Sequence, residues 1–363
     1  MTGSSPSAST PPAAPLTSLP ATMRAAFLAD VGEVRVIEHP TPQPGPDDVI
    51  LRVEAAAICG SDLSAFRGVH TRIRPPTILG HEFAGRVAAV GAAVTAVPIG
   101  LRVAAEPNIA CGRCRFCLRG MPNVCVDYLV VGEDVSRPGA CAEYVKVPAA
   151  QIHPLPDTMT SAEGAIVQPF AIAHRGVDRG GIKAGQTVLI FGAGPIGLGA
   201  MRLARGRGAR TIVVDPLAYR RDVARSLGAD LVLDADDDLH RQVLEATDGY
   251  GADVTLEVVG GAQVRTFVDA CALTARQGRV VVVGSFKQDE APLPIVSFKF
   301  RELEIVGSQG HPGTFAPVLA RIADGTLPAA RLITHRFPLD RVADGFALPA
   351  DRADGVMKVV IEP

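Results

Sequence analysis

Four closely spaced cysteines are the residues of this chain best suited to binding a metal ion. They are Cys111, Cys114, Cys117 and Cys125, with the spacing C-x2-C-x2-C-x7-C. Four thiolates can surround one tetrahedral zinc ion at about 2.3 Å each, and they leave no position open for a substrate. The pattern therefore predicts a structural zinc site that fixes a loop. Two disulfides are the alternative, but few other cysteines and no secretory signal favour reduced thiols.

Three glycines form a second motif, G-x-G-x-x-G, directly after the apolar run 188–191 and before a predicted helix over 198–207. In this context Gly192 permits a tight turn, Gly194 lets the backbone approach a pyrophosphate, and Gly197 lets the helix pack closely on the strand. The N-terminus of the helix favours the negative charge of phosphates. An ordinary strand–turn–helix corner would not need three glycines. The dinucleotide-binding candidates of this turn are Gly192, Gly194, Pro195, Ile196 and Gly197.

An acidic residue follows the next apolar run, 211–214, where a dinucleotide-binding fold contacts the adenosine ribose. Asp215 lies 23 residues after Gly192. Its carboxylate is placed to accept hydrogen bonds from the ribose hydroxyls and would repel a 2′-phosphate, so NAD is predicted over NADP. Arg220 and Arg221 follow closely and would soften this preference. Arg220 is therefore included among the cofactor-binding candidates.

Two shorter motifs upstream contain further candidate metal ligands. Cys59 belongs to the run CGSD at 59–62, and His81 and Glu82 belong to GHEFAG at 80–85. A catalytic zinc takes about three protein ligands, often Cys, His or a carboxylate, and keeps one position for water or substrate. A lone Cys or His is more often structural. Together, upstream of a cysteine lobe and a dinucleotide fold, the two motifs predict a catalytic site.

Length and charge indicate a two-domain enzyme with a small-molecule substrate. The 363 residues exceed one compact core. A net charge of −2 gives no attraction to nucleic acid or an anionic membrane, and no apolar run reaches the ~18 residues of a membrane helix. Residues 1–22 are rich in Ser, Pro and Ala and are predicted to be a disordered tail without a signal peptide. A cytoplasmic location is therefore expected.

The predicted elements fall into two styles, which indicates an α/β protein. Short β-like runs separated by Gly/Pro turns suggest a barrel-like β domain, at 24–29, 34–38, 49–57, 85–90, 102–105 and 142–147. Strands that alternate with helices then suggest a parallel sheet covered on both faces, at 188–191, 211–214, 231–233, 254–258, 280–283 and 304–306. Runs 332–337 and 357–361 return to β character. We predict a catalytic domain over 23–173 and 310–363, with a nucleotide-binding domain, 174–309, inserted in it.

The order and spacing of CGSD, GHEFAG, the four-cysteine lobe and GAGPIG (192–197) resemble those of the zinc-dependent medium-chain alcohol dehydrogenases. The chain is most similar to the polyol branch, which includes sorbitol, threonine and glucose dehydrogenases, and the resemblance covers residues 23–363. It implies a GroES-like β-barrel catalytic domain with an inserted, doubly wound Rossmann domain. It also implies NAD, two zinc ions per chain (one catalytic, one structural), and a homodimer or homotetramer formed through the cofactor domain.

The resemblance assigns roles to the residues of the two upstream motifs. Cys59 and His81 would ligate the catalytic zinc, with Glu82 as a third ligand or an exchangeable carboxylate beside it. Asp62 would orient His81 through its other ring nitrogen. Ser61 would bind the substrate hydroxyl and start a proton relay.

Two positions depart from the family pattern. Gln168, in the run 165–170, stands where the polyol branch has a glutamate ligand. Its neutral amide oxygen would either coordinate zinc or hydrogen-bond the metal-bound water, and zinc with Cys59, His81 and Glu82 would carry a formal charge of zero. Ser64 stands where many relatives have a histidine, which leaves the outer end of the relay unassigned. The remaining cysteines, Cys141 and Cys271, match no ligand position and are predicted to be core residues.

The implied reaction is hydride transfer between NAD and a secondary alcohol, which is a polyol, cyclitol, sugar or amino alcohol. Two alternatives are a zinc-free quinone or enoyl reductase of the same fold and a non-catalytic NAD-binding protein. The substrate pocket is expected near Phe66, Arg67, Phe170 and the 308–311 stretch. His311 in that stretch would either contact the substrate or cap the following helix.

Overall fold

A computed structural model describes residues 19–261, 264–350 and 355–363. The strands are β1 (Thr22–Asp30), β2 (Glu33–Pro40), β3 (Asp48–Ala57), β4 (Thr77–Ile78), β5 (Glu82–Val90), β6 (Arg102–Ala105), β7 (Asn108–Ile109), β8 (Leu129–Val130), β9 (Tyr144–Pro148), β10 (Ile152–Pro154), β11 (Thr187–Phe191), β12 (Arg210–Val214), β13 (Leu231–Leu233), β14 (Ala252–Glu257), β15 (Thr274–Val282), β16 (Glu304–Gly307), β17 (Ile333–Pro338) and β18 (Lys358–Glu362). The α-helices are α1 (Gly60–Phe66), α2 (Ser161–Ala165), α3 (Val167–Gly180), α4 (Pro195–Gly206), α5 (Ala218–Ser226), α6 (Leu239–Glu245), α7 (Arg265–Leu273), α8 (Ile295–Arg301), α9 (Phe315–Ala323), α10 (Ala329–Leu332) and α11 (Val342–Ala350).

The first β-rich part has two main sheets, beside a two-stranded sheet of β7 and β8. One sheet has the order β2-β1-β4, and the other has the order β10-β6-β5-β3-β18-β17 with β9 also paired to β3. Apolar side chains of both sheets share one core that includes Leu28, Leu51, Phe83 and Val145. The last strand, β18, pairs antiparallel with β3 and parallel with β17. The final residues of the chain therefore complete a sheet begun near its start, as the predicted discontinuous β domain requires.

The second part is a six-stranded sheet with the order β13-β12-β11-β14-β15-β16, and all its strand pairs are parallel. Strands β11 and β12 are nearly continuous runs of buried residues, as expected for a sheet covered by helices on both faces. All six strands predicted from sequence are present. The strand order reverses between β11 and β14, and ligands of such sheets bind in the crevice outside the carboxyl ends of the strands at that point.

The glycine-rich turn joins β11 to α4 at this crevice. Gly192 has φ +102°, which favours glycine. A Cβ on Gly197 would lie 1.8 Å from the carbonyl oxygen of Gly192, whereas a Cβ on Gly194 would come no closer than 3.9 Å to another atom, on Arg220. The turn is therefore tight where the helix meets the strand and open where a phosphate would approach. The helix begins at Pro195, three residues before its predicted start, because proline fits the first helical position.

The predicted tail, residues 1–22, lies outside the described residues as far as residue 18. Its last residues are part of the fold. Leu19 packs against a small cluster around Met23 and Ile50, and Thr22 is the first residue of β1. The tail prediction therefore extended too far at this end.

Within the described ranges, no helix is long and apolar enough to cross a membrane.

A Gly197→Ala variant should be destabilised by about 1–3 kcal/mol, because its Cβ collides with backbone that cannot move aside. Gly206→Ala is a matched control in the same helix, since a Cβ there meets nothing within 4 Å. The control should be neutral or more stable by up to about 1 kcal/mol. Thermal unfolding and NAD binding of both variants measure this. Equal melting temperatures for the two variants would contradict the close contact.

Candidate metal and cofactor sites

The register between β3 and β5 brings the two upstream motifs together. Ala57 pairs with Glu82, so that Cys59, just beyond β3, lies beside His81 at the start of β5. Cys59 also precedes the first residue of α1, and its backbone N–H donates to Asp62 Oδ2 at 2.9 Å. One ligand atom from each of Cys59, His81 and Glu82 lies within 4.8 Å of the others. The structure therefore assembles a thiol, an imidazole and a carboxylate, a set suited to zinc.

His81 is buried, and neighbours face both of its ring nitrogens. Nδ1 lies 3.5 Å from Asp62 Oδ1, and Nε2 lies 3.4 Å from the Ser61 hydroxyl. Burial lowers the pKa of His81, but the negative charges of Asp62 and Cys59 outweigh it, so that the pKa is raised well above its usual value. The pocket thus favours positive charge at this place, and a bound metal cation meets the same demand.

Glu82 has a partner that the sequence motifs did not indicate. Its two carboxylate oxygens accept hydrogen bonds from Lys358 Nζ at 2.9 and 2.7 Å, and the same ammonium donates to the Ile58 carbonyl at 3.1 Å. Both side chains are almost completely buried. Burial lowers the pKa of Lys358, but the charge of Glu82 outweighs it and raises the pKa. The formal charge of zero expected for zinc with Cys59, His81 and Glu82 therefore did not include the positive charge of Lys358.

Gln168 and Ser64, the two positions that differ from the family pattern, have no hydrogen bond to Cys59, His81 or Glu82 among the described residues. Gln168 is the second residue of α3, is half-buried, and belongs to a helix that packs on β5. The Ser64 hydroxyl donates to the Gly60 carbonyl in its own helix, at 3.0 Å. Nearby His70 already accepts two backbone N–H bonds at Nδ1, from Arg72 and Ile73. That nitrogen therefore has no lone pair left to receive a relayed proton.

Two residues expected near the substrate pocket are instead buried. Phe170 is fully buried in the core between the sheets. The ring of His311 is buried against Phe315, with Nε2 2.7 Å from Asn108 Nδ2 and Nδ1 3.4 Å from Glu106 Oε2. The backbone carbonyl of His311 accepts hydrogen bonds at the start of α9. The ring therefore belongs to a buried network and the backbone to the helix start.

The four lobe cysteines lie close together, and all seven cysteines of the chain are free. Cys114 Sγ is 3.5 Å from Cys117 Sγ and 4.0 Å from Cys125 Sγ. A tetrahedron with Zn–S bonds of about 2.3 Å has edges of about 3.8 Å, and a disulfide requires about 2.05 Å. The sulfur positions therefore fit zinc and not disulfides. Cys141 and Cys271 are fully buried, which confirms their prediction as core residues.

Backbone amides add to the stability of thiolates in this lobe. Hydrogen bonds from Cys117 and Val126 lower the pKa of the Cys114 thiol to about 6. Removal from water, together with the hydrogen bond to Cys114, raises the pKa of Cys117 to about 12. Thiolates as close together as these sulfurs repel one another. A divalent cation removes this conflict, which supports a metal in the lobe.

Asp215 lies at the end of β12, beside the glycine-rich turn. Its carboxylate accepts the backbone N–H of Ala193 and of Leu217, both at 2.9 Å. Arg220 Nη1 lies 3.8 Å from the same carboxylate, and Arg221 bonds the Asp215 carbonyl and pairs with Asp234. Asp215 thus fixes the turn, and the remaining lone pairs of its oxygens face no other described donor at bonding distance.

Comparison with known proteins agrees with this geometry. Residues 45–157 match the family described as the alcohol dehydrogenase GroES-like domain, and residues 195–324 match the zinc-binding dehydrogenase family. The chain is 34% identical to a sorbitol dehydrogenase of Bombyx mori, over 93% of this chain and 97% of that protein. It is 35% identical to an L-threonine 3-dehydrogenase of Rhizobium etli, over 89% and 93%.

A solved structure from Sinorhizobium meliloti 1021, described as a zinc-binding dehydrogenase and bound to NADP, is also similar. It is 36% identical with a TM-score of 0.86, and the match covers 94% of this chain and 99% of that one. The first family match lies in the β domain and the second in the Rossmann domain, and the relatives span both. The chain therefore belongs to the zinc-type medium-chain alcohol dehydrogenases, in their polyol branch of NAD(P)-dependent oxidoreductases.

Proposed function

We propose that this enzyme oxidises a secondary alcohol group of a polyol, cyclitol, sugar or amino alcohol with NAD, or catalyses the reverse reaction. The observation that carries the proposal is the meeting of Cys59, His81 and Glu82 within 4.8 Å of one another in a chain that also has the dinucleotide turn. Relatives named sorbitol and L-threonine 3-dehydrogenase act on alcohols of this kind.

Cys59 and His81 are the proposed ligands of the catalytic zinc, with Glu82 within reach, Gln168 at the start of α3, and the lobe cysteines holding a second zinc. When bound at Cys59 and His81, zinc supplies a Lewis acid that lowers the pKa of an alcohol hydroxyl. The ion pair with Lys358 holds Glu82 beside the site and neutralises it. Glu82 is therefore proposed as the exchangeable carboxylate.

The reaction removes a hydride and a proton from the substrate. The carbinol carbon gives its hydride to the nicotinamide of NAD, and the hydroxyl loses its proton, so that a carbonyl compound, NADH and H⁺ are formed. Ser61 is proposed to pass this proton on, accepting it at Oγ while its own hydroxyl proton goes to solvent, because Oγ lies beside His81 Nε2 and the side chain is only half-buried. Asp62 holds the ring of His81 in place from the other side.

NAD is the proposed cofactor in preference to NADP. The buried carboxylate of Asp215 lies at the end of β12, where it would bind ribose hydroxyls and repel a 2′-phosphate. Arg220 is the counter-influence, since its guanidinium lies beside both Asp215 and the open face of Gly194. Proposed contacts to the pyrophosphate come from the turn of Gly192 to Gly197.

The two alternatives predict different features. A zinc-free quinone or enoyl reductase has no use for a Cys–His–Glu cluster, and the presence of this cluster favours the zinc dehydrogenase. A non-catalytic NAD-binding protein would bind NAD without transferring hydride from any alcohol.

A homo-oligomer that forms through the cofactor domain is part of the proposal. Strand β16 is the edge of the parallel sheet. The neighbouring helix α8 exposes Ile295, Val296 and Phe300 by 63–69%. An edge strand beside exposed apolar side chains is suited to pairing with a second copy. A cytoplasmic location is likewise proposed, because free cysteines persist in a reducing compartment.

Cys59→Ser and His81→Ala should abolish turnover and reduce zinc from two ions per chain to one, while NAD still binds. The loss of a ligand empties the catalytic site but leaves the Rossmann turn intact. Cys271→Ala is the control, because Cys271 is buried outside both clusters. Metal analysis, NAD titration and turnover measure these effects. Turnover in both ligand variants would contradict the catalytic-zinc assignment.

Asp215→Asn should reduce the ratio of kcat/KM for NAD over NADP by about tenfold or more, because it removes the charge that binds ribose and repels phosphate. Asp222→Asn is a control on the exposed face of α5. Steady-state kinetics with both cofactors measure the ratio. An unchanged ratio would remove Asp215 from this role.

Phe300→Asp should shift the protein from a dimer or tetramer toward monomer, because it places a charge in the proposed interface. Tyr250→Asp is the control, at a position that is 79% exposed and lies between α6 and β14. Light scattering of each protein gives its mass. A monomeric wild type, or an oligomer unaffected by Phe300→Asp, would contradict this interface.

A further inference from the structure

A cavity of about 640 Å³ lies beside the cysteine lobe. Its walls come from the lobe around Cys117 and Asn123, from Arg175 of α3, and from Pro312 and Gly313. None of the proposed catalytic zinc ligands lines it. Its volume falls within the ~300–1,000 Å³ of small-molecule sites, so that a substrate group of moderate size can enter it.

Arg175 gives this cavity its chemistry. Among the described residues that line the cavity, Arg175 is the only Arg, Lys or His, and none is Asp or Glu. The Nε atom of Arg175 is buried and has no hydrogen-bond partner in the described part of the chain. A buried donor without an acceptor is unfavourable. The cavity therefore favours a ligand that supplies acceptor oxygens and negative charge.

Helix α3 connects this cavity to the proposed catalytic site. Gln168 and Arg175 are seven residues apart, which places them on one face of the helix, about 10 Å apart along its axis. The chain after β16 follows the same helix. Arg179 Nε donates to the Gly307 carbonyl at 3.0 Å, and Thr314 Oγ1 donates to the Ala171 carbonyl at 3.1 Å. The cavity and Gln168 thus lie along one helix, about two turns apart.

We propose that Arg175 binds an anionic group of the substrate, a phosphate or a carboxylate, while the hydroxyl to be oxidised lies at the Cys59 and His81 end of α3. This inference rests on the function proposed above and narrows its substrate class to polyols or sugars that carry a terminal anion. A guanidinium matches both anions because it donates two parallel N–H bonds in one plane.

Matched substrates test the proposal on the zinc-loaded enzyme with NAD. Sorbitol, sorbitol 6-phosphate and gluconate provide the neutral, phosphorylated and carboxylated arms. Arg175→Met should lower kcat/KM for one anionic substrate by about 10- to 100-fold and leave sorbitol within about twofold. Arg175→Lys should recover part of the loss. Arg119→Met, on the exposed surface of the lobe and outside the cavity wall, controls for a general change of charge.

Inorganic phosphate gives a second readout that does not need turnover. At saturating NAD the pyrophosphate site is filled, and calorimetry should detect phosphate binding to wild type and Arg119→Met but not to Arg175→Met. If sorbitol is oxidised and Arg175→Met changes neither the anionic substrates nor phosphate binding, the anion site is overturned and the proposed function stands. If no alcohol is oxidised, the proposed function fails. Phosphate binding then decides the anion site alone, and the absence of binding overturns it.

Discussion

Glu82 and Lys358 form an almost completely buried ion pair between residues 276 positions apart in the sequence. Removing one partner of such a pair costs about 3–5 kcal/mol, because the other charge is left buried and alone. Lys358 also bonds the carbonyl of Ile58, next to Cys59. The pair therefore fixes the thiol and carboxylate sides of the metal site together. The last strand must return to the sheet of β3 and β5 for this ion pair to form.

This constraint explains the arrangement of the two parts of the chain. The parallel sheet is inserted between β10 and β17, and α3 and the segment 307–314 run between it and the β domain. The first connection, α3, packs on β5, the strand that begins at Glu82. The dinucleotide crevice belongs to the parallel-sheet domain, and Cys59 and His81 belong to the β domain. The same two connections join these domains.

Local patterns predicted most of this structure. The six strands of the parallel sheet and the longer strands of the β domain followed from apolar runs between Gly/Pro turns, whereas the short strands β4, β7, β8 and β10 were not predicted. The spacing of Cys111 to Cys125 predicted a sulfur cluster that the structure shows. The contact of Gly197 with Gly192 also followed from a motif with a known steric cause. Each of these features depends on residues close in sequence.

Features that depend on distant residues were missed or misplaced. Lys358 lies 276 residues from Glu82, and no motif marks a lysine in an apolar last strand as the partner of a metal-site carboxylate. The substrate pocket was expected near Phe170, and His311 was expected either at the substrate or as a helix cap, but helix and loop packing buries both rings. An aromatic or histidine near a motif can face either the cleft or the core, and tertiary contacts decide between these environments. The role of Arg175 was not predicted, because its cavity is formed by the lobe and the segment after β16, which are distant from it in sequence.

Zinc content is the most direct test of the central claim, that the buried cluster of Cys59, His81 and Glu82 is a metal centre in addition to the cysteine lobe. Plasma mass spectrometry of protein purified without chelator gives the number of zinc ions per chain. Two ions are predicted. One ion, unchanged after zinc is added back, would mean that only the lobe binds metal, and it would contradict a zinc-dependent dehydrogenase mechanism for this chain.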